Sequence, residues 1–263
     1  MDLQLRDKVA VITGGSKGLG AASAWILAAE GAKLVLAART SEVLNALRHQ
    51  LGERHHVEVT TVAVDLTAPD GAEAVARAAV EAYGRIDILI NSAGSSQGGL
   101  FWEIPDEVWE QSLALKFLGA IRMMRAVIPI MRRQRYGRIV TVVGNTGRQP
   151  NPRLLPGAAA NAALLAVTKG LADELAKDGI VVNAVNPGPT RTERWITLMS
   201  NLAKSSNRSV TEVESDFTGE IPMGRLAEPE EIARVIVFLA SDCAANLTGT
   251  SITADGGWTK ALA

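Results

Sequence analysis

Near the start of the chain, Thr13-Gly14-Gly15-Ser16-Lys17-Gly18-Leu19-Gly20 is rich in the one residue type that lets a backbone approach a phosphate. Without Cβ atoms at Gly14, Gly18 and Gly20, main-chain N–H groups can close on a pyrophosphate, and the positive end of a following helix would face it. The surroundings make this reading specific. The apolar run Val9-Ala10-Val11-Ile12 precedes the turn as a buried strand, and Leu19, Ala22, Ile26 and Leu27 follow it at helical spacing. Strand, turn and helix together form a unit suited to a dinucleotide.

The elements that must hold this turn are legible along the rest of the chain. Strand patterns at 33–38, 57–64, 86–91, 138–143, 180–185 and near Thr250–Ala254 alternate with helical ones. The helical patterns cover about Glu42–Leu51, Pro69–Ala82, Asp106–Arg132, Ala158–Lys177 and Pro229–Ala240. This alternation predicts an α/β fold: a single-domain Rossmann-type doubly wound parallel sheet of about seven strands, with ligands beyond the strands' carboxyl ends. The length of 263 residues suits one domain over 1–263, and the near-balance of 27 Lys plus Arg against 28 Asp plus Glu argues against nucleic acid as a partner. A single cysteine, Cys243, excludes an internal disulfide. No apolar run is long enough to span a bilayer and the start lacks a signal-peptide core, so a cytoplasmic location without a membrane partner is expected.

TGGSKGLG (13–20), VDLT (64–67), NSAG (91–94), NPGPTRTE (186–193) and DGG (255–257) occur in this order over essentially the whole chain. The set resembles the short-chain dehydrogenase/reductase family. The resemblance implies a Rossmann-type fold, a nicotinamide dinucleotide and a homodimer or homotetramer. It implies cofactor contacts from Gly14, Ser16, Lys17, Gly18, Leu19 and Gly20 in the turn, and from Asp65 with Leu66 at the adenine. Asn91, Ala93 and Gly94 would flank the cofactor, and Pro187, Gly188, Thr190 and Thr192 would approach its carboxamide end. Charge then selects the dinucleotide. An NAD site places an acid about twenty residues past the glycine turn, whereas this chain reads Ala37-Ala38-Arg39-Thr40. Arg39, with Lys17 opposite, suits a 2′-phosphate, so NADP(H) is the expected cofactor.

The catalytic half departs from the family. Its members usually reduce a carbonyl with a tyrosine acid, a lysine one helical turn later, a serine that orients the carbonyl, and an asparagine that holds a water relay. The matching positions here are Gly157, Asn161, Gly144 and Lys116. Tyr83 and Tyr136 both precede a glycine, lack the companion lysine and read as packing or interfacial aromatics. Lys116 and Asn161 look like an exchange of the usual lysine and asparagine. Lys116, desolvated, is the candidate acid/base or electrostatic stabiliser, with a solvent-facing helix lysine as the alternative. Arg148 is a further candidate in the proline-restricted segment Asn145–Pro156, where Arg148, Asn151 and Arg153 suit an anionic substrate or an interface. The interval at about 188–224, with Trp195, Met199, Leu202 and Phe217, is expected to form a substrate lid. His49, His55 and His56 lack the carboxylate or cysteine pattern of a metal site, and Arg132, Arg133, Arg135 and Arg138 follow a helix end that favours cations. These residues point to an NADP-dependent oxidoreductase acting on a carbonyl or alcohol with an atypical centre. A non-catalytic dinucleotide-binding sensor or partner subunit, and a lyase or hydratase reusing the cleft, are the alternatives.

Overall fold

The computed structural model describes residues 2–94 and 97–261, the side chains of Leu202 and Ser205 excepted. At its centre lie β1 (Val9–Thr13), β2 (Lys33–Ala38), β3 (Val59–Ala63), β4 (Ile88–Asn91), β5 (Gly137–Val142), β6 (Ile180–Pro187) and β7 (Ser251–Ala254). All pair in parallel in the order β3-β2-β1-β4-β5-β6-β7. The helices are α1 (Gly18–Ala29), α2 (Ser41–His55), α3 (Gly71–Tyr83), α4 (Asp106–Ser112), α5 (Gly119–Gln134), α6 (Leu155–Leu175), α7 (Glu193–Ser206), α8 (Val210–Glu220) and α9 (Pro229–Leu239).

Alternation along each strand divides the core into two layers. Ala10 and Ile12 of β1 pack with Leu27 of α1, Leu44 of α2 and Ile236 of α9. Val11 faces the other way, onto Val75 of α3, Met123 of α5 and Leu164 of α6. Burial on both faces explains why β1, β4 and β6 read as continuous apolar runs with little polar alternation. The chain leaves β1 for β2 and β3, then returns to β4 on β1's other side. The resulting crevice opens where Thr13 and Asn91 end neighbouring strands in register.

Three features differ from the sequence expectations. The helix expected over Asp106–Arg132 is α4 and α5 joined through a π-helical turn, Leu113–Leu118, that carries Lys116. The interval after β6, expected only as a lid, holds the two helices α7 and α8. Thr192 caps α7 by accepting from Trp195 N at 3.3 Å, and a Ser209–Glu212 capping box starts α8. These helices enclose an apolar cluster of Trp195, Met199, Ala203, Val213, Ile221 and Leu226, with Phe217 edge-on to Trp195 at 5.4 Å. The side chain of Leu202, expected in this group, lies outside the described ones. Finally, the arginines in and after the last turn of α5 have specific partners beyond a helix end. Arg132 and Arg135 pair with Asp178, and Arg138 pairs with Asp242 at 2.7 Å.

Candidate functional site

The glycine turn follows β1 directly, and its glycines are required by contact as well as by backbone angle. A Cβ on Gly20 would strike Gly14 O, and one on Gly14 (φ +62°) would lie 2.9 Å from Ala93 N. The turn is thereby seated on the segment after β4. Thr13 Oγ1 accepts from Ser92 N (3.1 Å) and Ala93 N (3.2 Å), locking the two strand ends together. Gly18 (φ +54°) sits against Thr192, whose methyl group would be 3.6 Å from a Cβ there. Gly188 is packed on Asp255, and Thr190 Oγ1 donates to Gly188 O. Sequence-distant motifs therefore converge on one crevice: the turn, Asn91-Ser92-Ala93-Gly94 and Pro187–Thr192.

These residues fit a dinucleotide. Both side-chain polar atoms of Asn91 are buried and have no hydrogen-bond partner among the described residues, at the strand end where the crevice opens. A buried amide of this kind needs a partner, and a bound cofactor would supply one. Asp65 ends its strand segment in an Asx turn, accepting from Thr67 N (2.9 Å) and Thr67 Oγ1 (2.8 Å). Those bonds hold its carboxyl below the usual range, with Arg39 adding a weaker attraction. Leu66 is buried beneath it. Arg39 is exposed, and Lys17 Nζ lies 2.7 Å from Glu193 Oε2, at the start of α7.

Lys116 and Asn161 meet from different helices around the end of β5. Lys116 Nζ donates to Val143 O at 2.6 Å, and its stem packs on Gly94, where a Cβ would be 3.2 Å away. The π-helical turn displaces this stretch of helix from regular geometry, a feature frequent at functional sites. Asn161 is 3% exposed and donates from Nδ2 to Thr146 Oγ1 at 2.8 Å, while its Oδ1 is buried without a partner among the described residues. Gly144 lies between them with φ +126°, and a Cβ there would be 2.9 Å from Asn161 Nδ2. Burial, reinforced by the positive charge of Arg194, lowers the Lys116 pKa to about 7. At neutral pH this amine can therefore both give and take a proton.

The remaining candidates lie elsewhere. Arg148 does not join Lys116; its guanidinium donates to Ser251 Oγ at 2.7 Å, on edge strand β7. Asn151 Oδ1 accepts from Arg153 N, and Arg153 O accepts from Gly99 N, so this segment buttresses the loop after β4. Tyr83 and Tyr136 are committed to Thr60 and Asp242, and burial raises both phenols, the wrong direction for a proton donor. Among the described residues, no group of three or more His, Cys, Asp or Glu is placed to hold a metal. No described helix is long and apolar enough to cross a membrane. Arg194 was missed in the sequence, although it lies two residues past Thr192. Its residue is exposed overall, while protein packed around the guanidinium lowers its pKa by desolvation.

Residues 14–259 match the family described as Enoyl-(Acyl carrier protein) reductase. The 3-oxoacyl-(acyl-carrier-protein) reductase FabG of Vibrio cholerae is 33% identical over 255 residues, 97% of this chain and 98% of that protein. The L-sorbose reductase of Gluconobacter frateurii, solved with NADPH and L-sorbose, superposes with a TM-score of 0.95 at 36% identity, covering 100% of both chains. An actinorhodin polyketide ketoreductase solved with NADPH gives 0.93 at 31% identity, over 97% of this chain and 98% of that one. The motifs, the sheet order and these likenesses agree: the chain belongs to the short-chain dehydrogenase/reductase family of oxidoreductases.

Proposed function

We propose that this protein is an NADP(H)-dependent oxidoreductase interconverting a carbonyl and an alcohol, with Lys116 as its proton-transferring group. The observation that carries the reading is the partly buried Lys116 amine, hydrogen-bonded to Val143 O beside side-chain-free Gly144, with a pKa near neutrality. Gly144 and Gly157 stand at the family's serine and tyrosine positions and supply no hydroxyl. Asn161 and Lys116 stand at the lysine and asparagine positions. Arg39 and Lys17 carry the charge for a 2′-phosphate, and relatives solved with NADPH support that choice.

When bound, NADPH supplies the hydride. The chain's own residues then have defined tasks. Asn91 and the glycine turn hold the dinucleotide at the switch point. An ammonium has three donors, and Lys116 uses one on Val143 O; another can pass its proton to the substrate oxygen as that oxygen gains charge. In the reverse direction the neutral amine removes the alcohol proton. Asn161 braces the Gly144–Thr146 backbone through Thr146. The apolar helix pair α7–α8 serves as the lid that excludes water once the cleft is filled. A homodimer or homotetramer is the assembly the family suggests.

The test is NADPH oxidation over a carbonyl panel for the wild type and Lys116→Met, alongside a fluorescence titration of NADPH. The reading expects turnover lost while NADPH affinity persists. Unchanged turnover in Lys116→Met overturns the role of Lys116, and absent NADPH binding by the wild type overturns the cofactor assignment.

A further inference from the structure

The basic side chain of the glycine turn is already engaged. Lys17 Nζ donates to Glu193 Oε2 at 2.7 Å, reaching from the turn after β1 to the first residue of α7, 176 positions later in the chain. Neighbouring contacts hold both ends of this bond. A Cβ on Gly18 would lie 3.6 Å from the Thr192 methyl, and Thr192 Oγ1 caps α7 by accepting from Trp195 N. The fold thus seats the carboxylate of Glu193 against the turn, at a helix N-terminus that favours an anion.

The other cation proposed for the 2′-phosphate stands on the opposite side. Gly15 N donates to Ala37 O at 3.2 Å, which sets the turn on the end of β2, two residues before Arg39. Arg39 makes no salt bridge among the described residues, its charge acting weakly on Asp65. In the sheet, β2 flanks β1 on one side, whereas β6, which leads to α7, lies beyond β4 and β5 on the other. A phosphate beside Arg39 therefore draws Lys17 towards β2 and away from Glu193. A phosphate monoester carries nearly two negative charges at neutral pH, against one on the carboxylate, and can be shared with the Arg39 fork. NADH has a hydroxyl at that place and makes no such demand. The Lys17 and Glu193 side chains are 55% and 71% exposed, so their pair is weak enough to exchange.

We propose that Glu193 is a specificity-determining residue that competes with the 2′-phosphate for Lys17, so that NADP(H) must displace it whereas NAD(H) leaves the pair intact. Glu193 thereby narrows the NADP(H) preference that Lys17 and Arg39 create, and links the first turn of α7 to the choice of dinucleotide. The proposal rests on the reading of Lys17 as a 2′-phosphate partner.

The test is fluorescence titration of the full chain with NADPH and with NADH, for the wild type, Glu193→Gln, Lys17→Ala and the double variant. Glu193→Gln is expected to tighten NADPH binding by about twofold to fivefold, the range of a solvated ion pair, with NADH binding little changed. In the Lys17→Ala background the same substitution is expected to have no effect on NADPH, because the contested ammonium is gone. Unchanged NADPH affinity in Glu193→Gln, while Lys17→Ala lowers the NADPH-over-NADH ratio, overturns the competition and leaves the 2′-phosphate reading of Lys17 standing. An unchanged ratio in Lys17→Ala overturns that reading and the proposal with it. Equal tightening of NADPH and NADH in Glu193→Gln assigns the carboxylate's effect to the pyrophosphate that both share, and tightening that persists without Lys17 assigns it to direct repulsion; each overturns the proposal.

Discussion

Burying an amine without a counter-charge costs stability, and at Lys116 the cost is pH-dependent in a defined direction. In the unfolded chain the lysine titrates at its ordinary 10.5, but in the fold it does so at about 7. Below pH 7 it is protonated in both states, so the folded protein carries the whole penalty of holding the charge. Between pH 7 and 10.5 the unfolded chain binds a proton that the folded one has released, so stability climbs with pH. The slope is about 1.4 kcal/mol per pH unit and the total is at most about 5 kcal/mol, an upper bound because the side chain retains some solvent contact. Lys116→Met replaces the amine with an apolar group of similar length and removes the pH-dependent part. At roughly 2–4 °C per kcal/mol for a chain of this size, the melting temperature of the wild type relative to Lys116→Met should rise by about 3–6 °C per pH unit above neutrality. The variant should be the more stable protein at pH 6, and the gap should narrow towards pH 10. Differential scanning calorimetry of both proteins across this range isolates the effect, because all other titrating groups are shared. Parallel melting curves at every pH would refute the argument that Lys116 is desolvated, and with it the basis of its proton transfer.

Other expectations follow from the same geometry. Replacing Lys17 and Arg39 together with alanine should cut the NADPH-over-NADH binding preference by about tenfold to a hundredfold, as read by fluorescence titration of each dinucleotide; an unchanged ratio places the 2′-phosphate elsewhere. Gly144→Ala should cost about 1–3 kcal/mol in urea unfolding, since φ +126° suits glycine alone and the added Cβ would crowd Asn161 Nδ2. Asp87→Ala should cost about 3 kcal/mol, because this fully buried carboxylate accepts from Val9 N at 2.9 Å and pairs with Arg85. Saturating NADPH should slow proteolysis within 193–220 if α7 and α8 close over the filled cleft; equal cleavage rates with and without it would count against the lid.

Local signals carried much of this protein into view. The buried parallel strands are legible because both faces are covered, which makes their sequences continuously apolar, and the glycine turn is legible because main-chain approach and positive φ both exclude a Cβ at Gly14. Element ends were less so. The π-helical turn at Leu113–Leu118 leaves the apolar spacing of the surrounding helices nearly intact, so periodicity alone reads Asp106–Arg132 as one regular helix. Helix α7 carries an apolar stripe, Trp195, Leu198, Met199 and Ala203 at helical spacing, inside an interval that the sequence marks as a lid without assigning it a helix; α8 has only Val213 buried, and both pack with the distant Leu226 and Trp258.

The amino-acid sequence alone determined the parallel sheet, the glycine turn, the cations Lys17 and Arg39 with no acid after the second strand, and the absence of a hydroxyl at positions 144 and 157. These depend on residue type and on neighbours a few positions away. Tertiary structure alone decided that Lys116 reaches Val143 O, that Asn161 keeps a buried acceptor without a partner among the described residues, that Arg148 turns to Ser251, and that the positive charge of Arg194 acts on Lys116. Each of these joins residues far apart in the chain. Desolvation and charge–charge repulsion are set by distances in space, and only the packed sheet and its helices fix those distances.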